Sequence, residues 1–360
     1  MDNSLLTIED VRARAVVAPM KRPVRTAVGD VPAAPLVLID VTTAEGVTGR
    51  SYIFGYTPLT LSPLVEIIAK LRELVRGKPV VPVARQRDFE STFRLLGRQG
   101  LLGMAISGLD MAFWDILGRA EDRPVVHLLG GEAAPIPAYD SYGMVDLAKD
   151  TDAIGESVEQ GFEAIKIKVG GGDLQRDIET VAAVREIIGP DVRLMVDYNQ
   201  SLDVPEAKRR IAALAKYDLQ WVEEPVPAED LAGHAEIRAN SPVPIQTGEN
   251  WWFPEDTARA IAAKASDFAM LDIMKIGGVT GWLRAAAMAE GASLPVSSHL
   301  FVEASAHVLP VTPTVHWHEW LDMASAVLAE PIAVQGGKVT ARGPGLGMDW
   351  DEKAVAKYAE

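Results

Sequence analysis

Three carboxylates recur at one fixed interval, and that interval dictates the architecture. The segments Val196-Asp197-Tyr198-Asn199, Trp221-Val222-Glu223-Glu224-Pro225 and Thr247-Gly248-Glu249-Asn250 carry them, and Glu223 follows Asp197 by 26 residues as Glu249 follows Glu223 by 26. One strand, one helix and two loops fill such an interval in a β/α barrel, so the acids fall at one height on successive strands. Upstream, Ala164-Ile165-Lys166-Ile167-Lys168-Val169 alternates basic and apolar residues. Strand side chains alternate faces, so both lysines point into the barrel and both isoleucines out toward helices.

The chain has 360 residues, enough for a barrel plus an appended domain. Segments 11–19, 36–43 and 49–54 are β-branched or apolar runs separated by turn signals and read as a three-stranded antiparallel meander. The stretch 21–35, with Pro23, Gly29, Pro32 and Pro35, reads as a mobile loop between the first two. Segments 59–76, 83–96 and 104–120 have helical periodicity. After Gly130-Gly131 short apolar runs alternate with amphipathic helices, with strands expected at 136–141, 164–169, 193–197, 220–223, 245–249, 269–273, 295–298 and 315–319. The expected fold is α/β: an eight-stranded (β/α) barrel with an N-terminal α+β capping domain. The expected division is a cap over 1–130, a barrel over 131–335 with the chemistry at its strand ends, and a segment 336–360 packing back on the cap.

The formal net charge of −15 argues against nucleic acid and anionic membranes as partners. Cysteine is absent, which rules out disulfides and thiolate metal ligands. Met1-Asp2-Asn3-Ser4 shows no basic region followed by an apolar run, and no stretch reads as the roughly 18 apolar residues of a membrane span, so a cytoplasmic location is expected.

Each acid alone suits a helix cap or a salt bridge, but three at equal depth repel one another and need a cation. Oxygen-only donors favour magnesium, with manganese as a substitute, over zinc. Of the lysine pair, one member can bond a strand-end carboxylate; alternatively, one ammonium depresses the other's pKa and makes it a base near neutral pH. Asp272 and His299 end the next strands, and a carboxylate beside an imidazole fixes its tautomer and raises its basicity. Glu319, on the eighth strand, could donate a proton if burial keeps it neutral. His316 and His318 read as structural, Gly170-Gly171-Gly172 as a loop, and Lys275, out of phase with Asp272, as outward or in a loop.

With Ser107-Gly108-Leu109-Asp110-Met111-Ala112-Phe113-Trp114-Asp115, Met274-Lys275-Ile276-Gly277-Gly278-Val279 and Ser297-Ser298-His299-Leu300-Phe301, these motifs resemble the mandelate racemase/muconate lactonizing enzyme family of the enolase superfamily over nearly the whole chain. The resemblance implies one magnesium ion on Asp197, Glu223 and Glu249. It implies that Lys168, tuned by Lys166, and His299, paired with Asp272, act as bases on opposite faces of a substrate α-carbon. Glu319 would hydrogen-bond the substrate carboxylate, Ser141 and Asn199 would orient it, and Val24, Val28 and Tyr56 would line the pocket. In the lactonising branch a lysine stands where this chain has Asp272, so racemisation of a 2-hydroxy carboxylate such as mandelate through an enolate is expected, with sugar-acid dehydration as the alternative. A small-molecule carboxylate is the expected partner, and a homo-oligomer the expected assembly. In racemases of this family an apolar first-domain loop closes over the substrate; here Arg25 and Asp30 add charge to that loop and Arg98 to a flank, which weighs on the choice of substrate.

Overall fold

The computed structural model describes residues 5–26 and 29–360. Strands β1 (Ile8–Thr26), β2 (Gly29–Thr43) and β3 (Thr48–Phe54) form an antiparallel sheet in that order. Where a mobile loop was expected at 21–35, the described residues 21–26 and 29–35 are instead strand: β1 and β2 extend alongside each other, with Val24 paired to Val31 and Arg25 to Asp30. The prolines that suggested a loop sit where they do no harm. A register shift between Pro19 and Val24 takes up Pro23 and Pro32, and pairing with β3 begins only at Leu36, just past Pro35. An edge or bulge tolerates a residue with no N–H to donate.

Helices α1 (Leu61–Val75), α2 (Pro82–Thr92) and α3 (Leu101–Ala120) complete the cap. α1 buries Leu61, Leu64, Ile68, Leu71 and Val75, a stripe at helical spacing that packs on β1 and β2. α3 is by length and composition apolar enough to cross a membrane, contrary to the expectation that no stretch is. Counting consecutive apolar residues missed it because Asp110 and Asp115 interrupt the run. Both acids are buried as bonding partners, Asp110 Oδ2 accepting from Thr280 N at 2.9 Å and Asp115 Oδ2 from Arg50 N at 2.7 Å. The helix lies packed against β3 and the barrel helices.

The short α4 (Val125–Leu128) leads into eight parallel strands, β4 (Ile136–Met144), β5 (Ala164–Lys168), β6 (Arg193–Asp197), β7 (Leu219–Glu223), β8 (Ile245–Thr247), β9 (Phe268–Asp272), β10 (Val296–His299) and β11 (His318–Trp320). Between them run α5 (Thr151–Glu159), α6 (Leu174–Ile188), α7 (Val204–Leu214), α8 (Leu231–Asn240), α9 (Phe253–Ala263), α10 (Gly278–Gly291) and α11 (Val302–Val308). β11 pairs with β4, and a bridge from Val296 to Val315 draws the two ends of the sheet together. Ile165, Ile167, Val196 and Val222 face outward into one apolar layer with α6 and α7, while Met195, Trp221 and Met270 fill the barrel below the site. Register then fixes the height of the chemistry: Lys168 lies opposite Asp197, Asp197 opposite Glu223, Ser141 opposite Lys166, and His299 opposite Asp272. Beyond β11, β12 (Lys338–Val339) pairs with β4, and α12 (Glu352–Lys357) returns to the cap. There Trp350 Nε1 donates to Asp40 Oδ1 at 2.8 Å and Arg14 pairs with Glu352 at 2.6 Å.

Candidate active site

Asp197 and Glu223 are the last residues of β6 and β7. β8 ends at Thr247, two residues earlier than its sequence suggested, because Gly248 turns the chain at a φ of 136°. A Cβ there would lie 2.6 Å from Met270 O, so only glycine lets the backbone bring Glu249 back beside its partners. The three acids are buried, each offering an oxygen within 4.8 Å of the others. Cationic side chains surround them: Lys166 Nζ donates to Glu223 Oε1 at 2.7 Å and pairs with Glu319 at 2.8 Å, Lys168 Nζ bonds Asp197, and His299 Nε2 lies 3.2 Å from Glu249 Oε2. Burial pushes Glu223 up to about 8 even with Lys166 beside it. Burial acts on Glu249 in the same sense, but His299 and three lysines outweigh it and hold Glu249 at about 2. Apart from the ion-pair contact with His299, Glu249 Oε2 accepts no hydrogen bond among the described residues. Converging buried carboxylates with an oxygen unsatisfied, and no nitrogen or sulfur donor among them, fit a small hard divalent cation.

Lys166 takes the strand-end pairing that its sequence allowed. Lys168 differs from the expectation of a depressed ammonium. Burial, the largest influence, lowers it and so does Lys166, but Asp197, Glu249 and Glu223 together outweigh them and the net shift is upward. Asp272 Oδ2 bonds His299 Nδ1 at 2.7 Å, while its Oδ1 accepts from Met274 N at 2.7 Å and Lys275 N at 3.1 Å. The carboxylate is thus fixed, and the imidazole leaves Nε2 on the cavity side. Burial disfavours the imidazolium, yet Glu249, Asp272 and Glu319 raise it to about 9. Glu319 does not meet the expectation of a neutral acid. Burial would raise it, but Lys166 and His299 reverse the sign and keep it ionised. His318 is buried with both ring nitrogens against the carbonyls of Glu319 and Val302, and His316 packs on Trp221 and Phe268, so both are structural as read.

Above the charged floor lies a cavity of about 320 Å³. Lys166, Lys168, Glu249, His299 and Glu319 reach it from below, and Ser141, Asn199 and Gln200 from one side. Met20, Val24, Val31, Phe54, Leu321 and Met323 form an apolar wall, with Tyr56 4.6 Å from Phe54 ring to ring. Val28 lies outside the described residues. The charges that weighed on substrate choice turn away from this space. Arg25 bonds Met144 O at 2.9 Å and pairs with Asp150, Asp30 is exposed, and Arg98 stacks on Phe253 near Glu90 and Glu255.

Sequence reasoning missed Gln200, Leu321 and Met323, and it placed Lys275 outward or in a loop: the residue lies in the turn after β9, but buried rather than outward. Lys275 is buried, with Nζ 2.5 Å from Asn250 Oδ1 and 5.0 Å from the Tyr56 ring centre. Asp272 Oδ1 gathers the amides of Met274 and Lys275 into a turn, which ends strand alternation at Asp272. An acid closing a strand two residues before an amide is a turn signal that was available in the sequence.

Comparison with known proteins agrees with this geometry. Residues 8–130 match the mandelate racemase/muconate lactonizing enzyme N-terminal domain, and residues 149–354 the enolase C-terminal domain-like family. A Bradyrhizobium enolase solved with magnesium and mandelic acid is 58% identical, with a TM-score of 0.98 over 99% of both chains. An enolase from the α-proteobacterium BAL199, solved with magnesium, is 38% identical, with a TM-score of 0.94 over 99% of this chain and 100% of that one. The 3,6-anhydro-α-L-galactonate cycloisomerase of Streptomyces coelicolor is 32% identical, covering 90% of this chain and 91% of its own. Asp197, Glu223 and Glu249 form a buried magnesium site, and the Bradyrhizobium and BAL199 proteins are both solved with magnesium bound. The chain belongs to the mandelate racemase/muconate lactonizing enzyme family of the enolase superfamily, as a magnesium-dependent enzyme that abstracts the α-proton of a carboxylate.

Proposed function

We propose that the chain racemises a 2-hydroxy carboxylate, mandelate or a close aryl or vinyl relative. The observation that carries this reading is the division of the cavity into a charged floor and an apolar wall. A sugar acid brings hydroxyl groups along its length that would be left unpaired against Met20, Val24, Val31 and Phe54, which is costly. An aryl group gains from the same wall. The mandelic acid held by the 58% identical Bradyrhizobium protein supports the same class.

Ser141 and Asn199 orient the substrate carboxylate over the floor. Bound at Asp197, Glu223 and Glu249, magnesium would supply positive charge for the developing enolate and neutralise carboxylates that otherwise hold Lys168 and His299 protonated. Lys168 Nζ removes the α-proton from one face, and its partner Lys166 both lowers its proton affinity and shares the negative charge growing on the substrate. His299 Nε2, held by Asp272, delivers a proton to the other face. The reverse reaction exchanges the two roles. Lys168 and His299 stand on β5 and β10, with only β4 and β11 between them on the shorter way round, and both reach the one cavity. Glu319 can donate a hydrogen bond to the substrate carboxylate only when it carries a proton, and a bound anion beside it shifts it toward that state.

Dehydration of a sugar acid is the second reading. The Asp272–His299 pair favours it, because an imidazolium held at about 9 is suited to protonate a departing β-hydroxyl. Incubation with (R)-mandelate and magnesium, followed by polarimetry, separates the two. Rotation decaying to zero with no semicarbazide-reactive keto acid supports racemisation, whereas a keto acid from galactarate with (R)-mandelate unchanged replaces it with dehydration.

A further inference from the structure

His299 is followed by two bulky residues in the left-handed region, Leu300 at φ 50° and Phe301 at φ 48°. Side chains with a Cβ rarely adopt that conformation, and a pair in succession persists only where the surroundings over-determine it. The turn is also functional. Through it the amide of Leu300 is aimed at Glu319 Oε2, 2.8 Å away, next to the His299 ring. Below the turn, Ser305 N and Oγ bond the carbonyls of Phe301 and Leu300. From above, the only aromatic contact that Phe301 makes among the described residues is with the cap: Tyr52 of β3 stacks on it at 5.2 Å between ring centres and 28° between planes. The Tyr52 hydroxyl then donates to Glu303 Oε2 at 2.8 Å, one turn further along the same segment. Tyr52, Phe301 and Glu303 are all buried. Tyr52 also lies two residues before Phe54, on the same face of β3, so the strand that clamps the turn is the strand that walls the cavity.

We infer that Tyr52 and Glu303 are positioning residues for the His299 base: their hydrogen bond and the Tyr52–Phe301 stack hold the strained Leu300-Phe301 turn from the capping domain. Neither residue reaches the cavity or touches a carboxylate of the metal site. Their effect is therefore selective. Releasing the turn moves His299 and the Leu300 amide, while Lys168, three strands away on β5, keeps its place. The catalytic part of this inference rests on the two-base reading above; the clamp itself does not.

Two measurements on Tyr52→Phe, Glu303→Leu and Glu303→Gln test it. Glu303→Gln keeps an acceptor for the tyrosine hydroxyl and serves as the conservative rescue. The first is hydrogen–deuterium exchange of the peptide 299–304 in the magnesium-loaded protein, which needs no substrate. Tyr52→Phe and Glu303→Leu should exchange this peptide about tenfold faster, with Glu303→Gln close to wild type. Equal protection in all four proteins overturns the clamp whatever the substrate. The second is α-proton exchange of each mandelate enantiomer in D2O. The same two variants should lose about 10- to 100-fold in kcat for the enantiomer whose proton faces His299, with the other changed less than about twofold. Equal losses for both enantiomers overturn the selective role and leave a structural one. Wild type exchanging neither enantiomer is instead a failure of the mandelate reading, and the peptide-exchange result then decides the clamp alone.

Discussion

The floor of the cavity is a set of charges that hold one another in place. Removing one member should propagate to its neighbours in a predictable direction. Glu223→Gln removes one metal oxygen charge and the partner of Lys166, so magnesium affinity by equilibrium dialysis should fall at least about tenfold together with activity; unchanged affinity would exclude Glu223 as a ligand. Protonation follows the same logic. In magnesium-free protein His299 is raised from 6.5 to about 9 and Glu223 from 4.5 to about 8. A raised folded-state pKa means that the folded protein holds the proton more tightly. The stabilisation from His299 is then complete below pH 6.5 and lost as pH rises through about 9, and that from Glu223 is lost from 4.5 through about 8. Tm of the metal-free protein should therefore fall by a few degrees between pH 6.5 and about 9, above the range in which the buried, neutral His307, His316 and His318 gain stability with rising pH, and less steeply in His299→Asn. Saturating magnesium, which competes with protons for the carboxylates, should flatten the slope. A Tm that rises with pH over that window contradicts the charge arrangement.

At the scale of elements, the β1–β2 hairpin is the part that decides what the cavity admits. Val24 and Val31 line the cavity while the hairpin is pinned to β4 by Arg22, which bonds Asp140 and lies 3.7 Å over the Tyr142 ring, and by Arg25, which bonds Met144 O at 2.9 Å and also pairs with Asp150 at the start of α5. Gly143 makes the close approach possible, since a Cβ there would lie 2.4 Å from Arg25 O. Gly143→Ala should lift the hairpin and raise KM for mandelate about tenfold, with kcat affected less; a KM equal to wild type would show that the hairpin does not close the site. This element was also the least legible in the sequence. Three prolines argued for a loop, and nothing local told that two fall at a register shift and the third just before pairing with β3 begins. The barrel strands were legible because one period of strand and helix repeats, and the magnesium carboxylates because they keep that period. What lay outside reach depends on turns and on contacts distant in the chain. Gly248 returns Glu249 to the site, and Tyr52 meets Glu303 across a sequence separation of 251.

At the scale of the molecule, the barrel supplies register and the cap supplies the wall, so the site exists only where the two meet. Magnesium held by Asp197, Glu223 and Glu249 would tie together the ends of β6 and β7 and the turn after β8, and should therefore report on the whole fold. Chelation should lower Tm in proportion to the logarithm of magnesium concentration over its dissociation constant, and a Tm independent of magnesium would contradict a buried site. The racemase account depends on two bases reaching one carbon from opposite faces. Proton NMR of (R)- and (S)-mandelate in D2O with magnesium tests this most directly, using wild type, Lys168→Ala and His299→Asn. The account predicts that wild type washes the α-proton from both enantiomers, and that each variant retains exchange with one enantiomer, a different one in each case, while racemising neither. Wild type exchanging a single enantiomer, or both variants losing both, would contradict it.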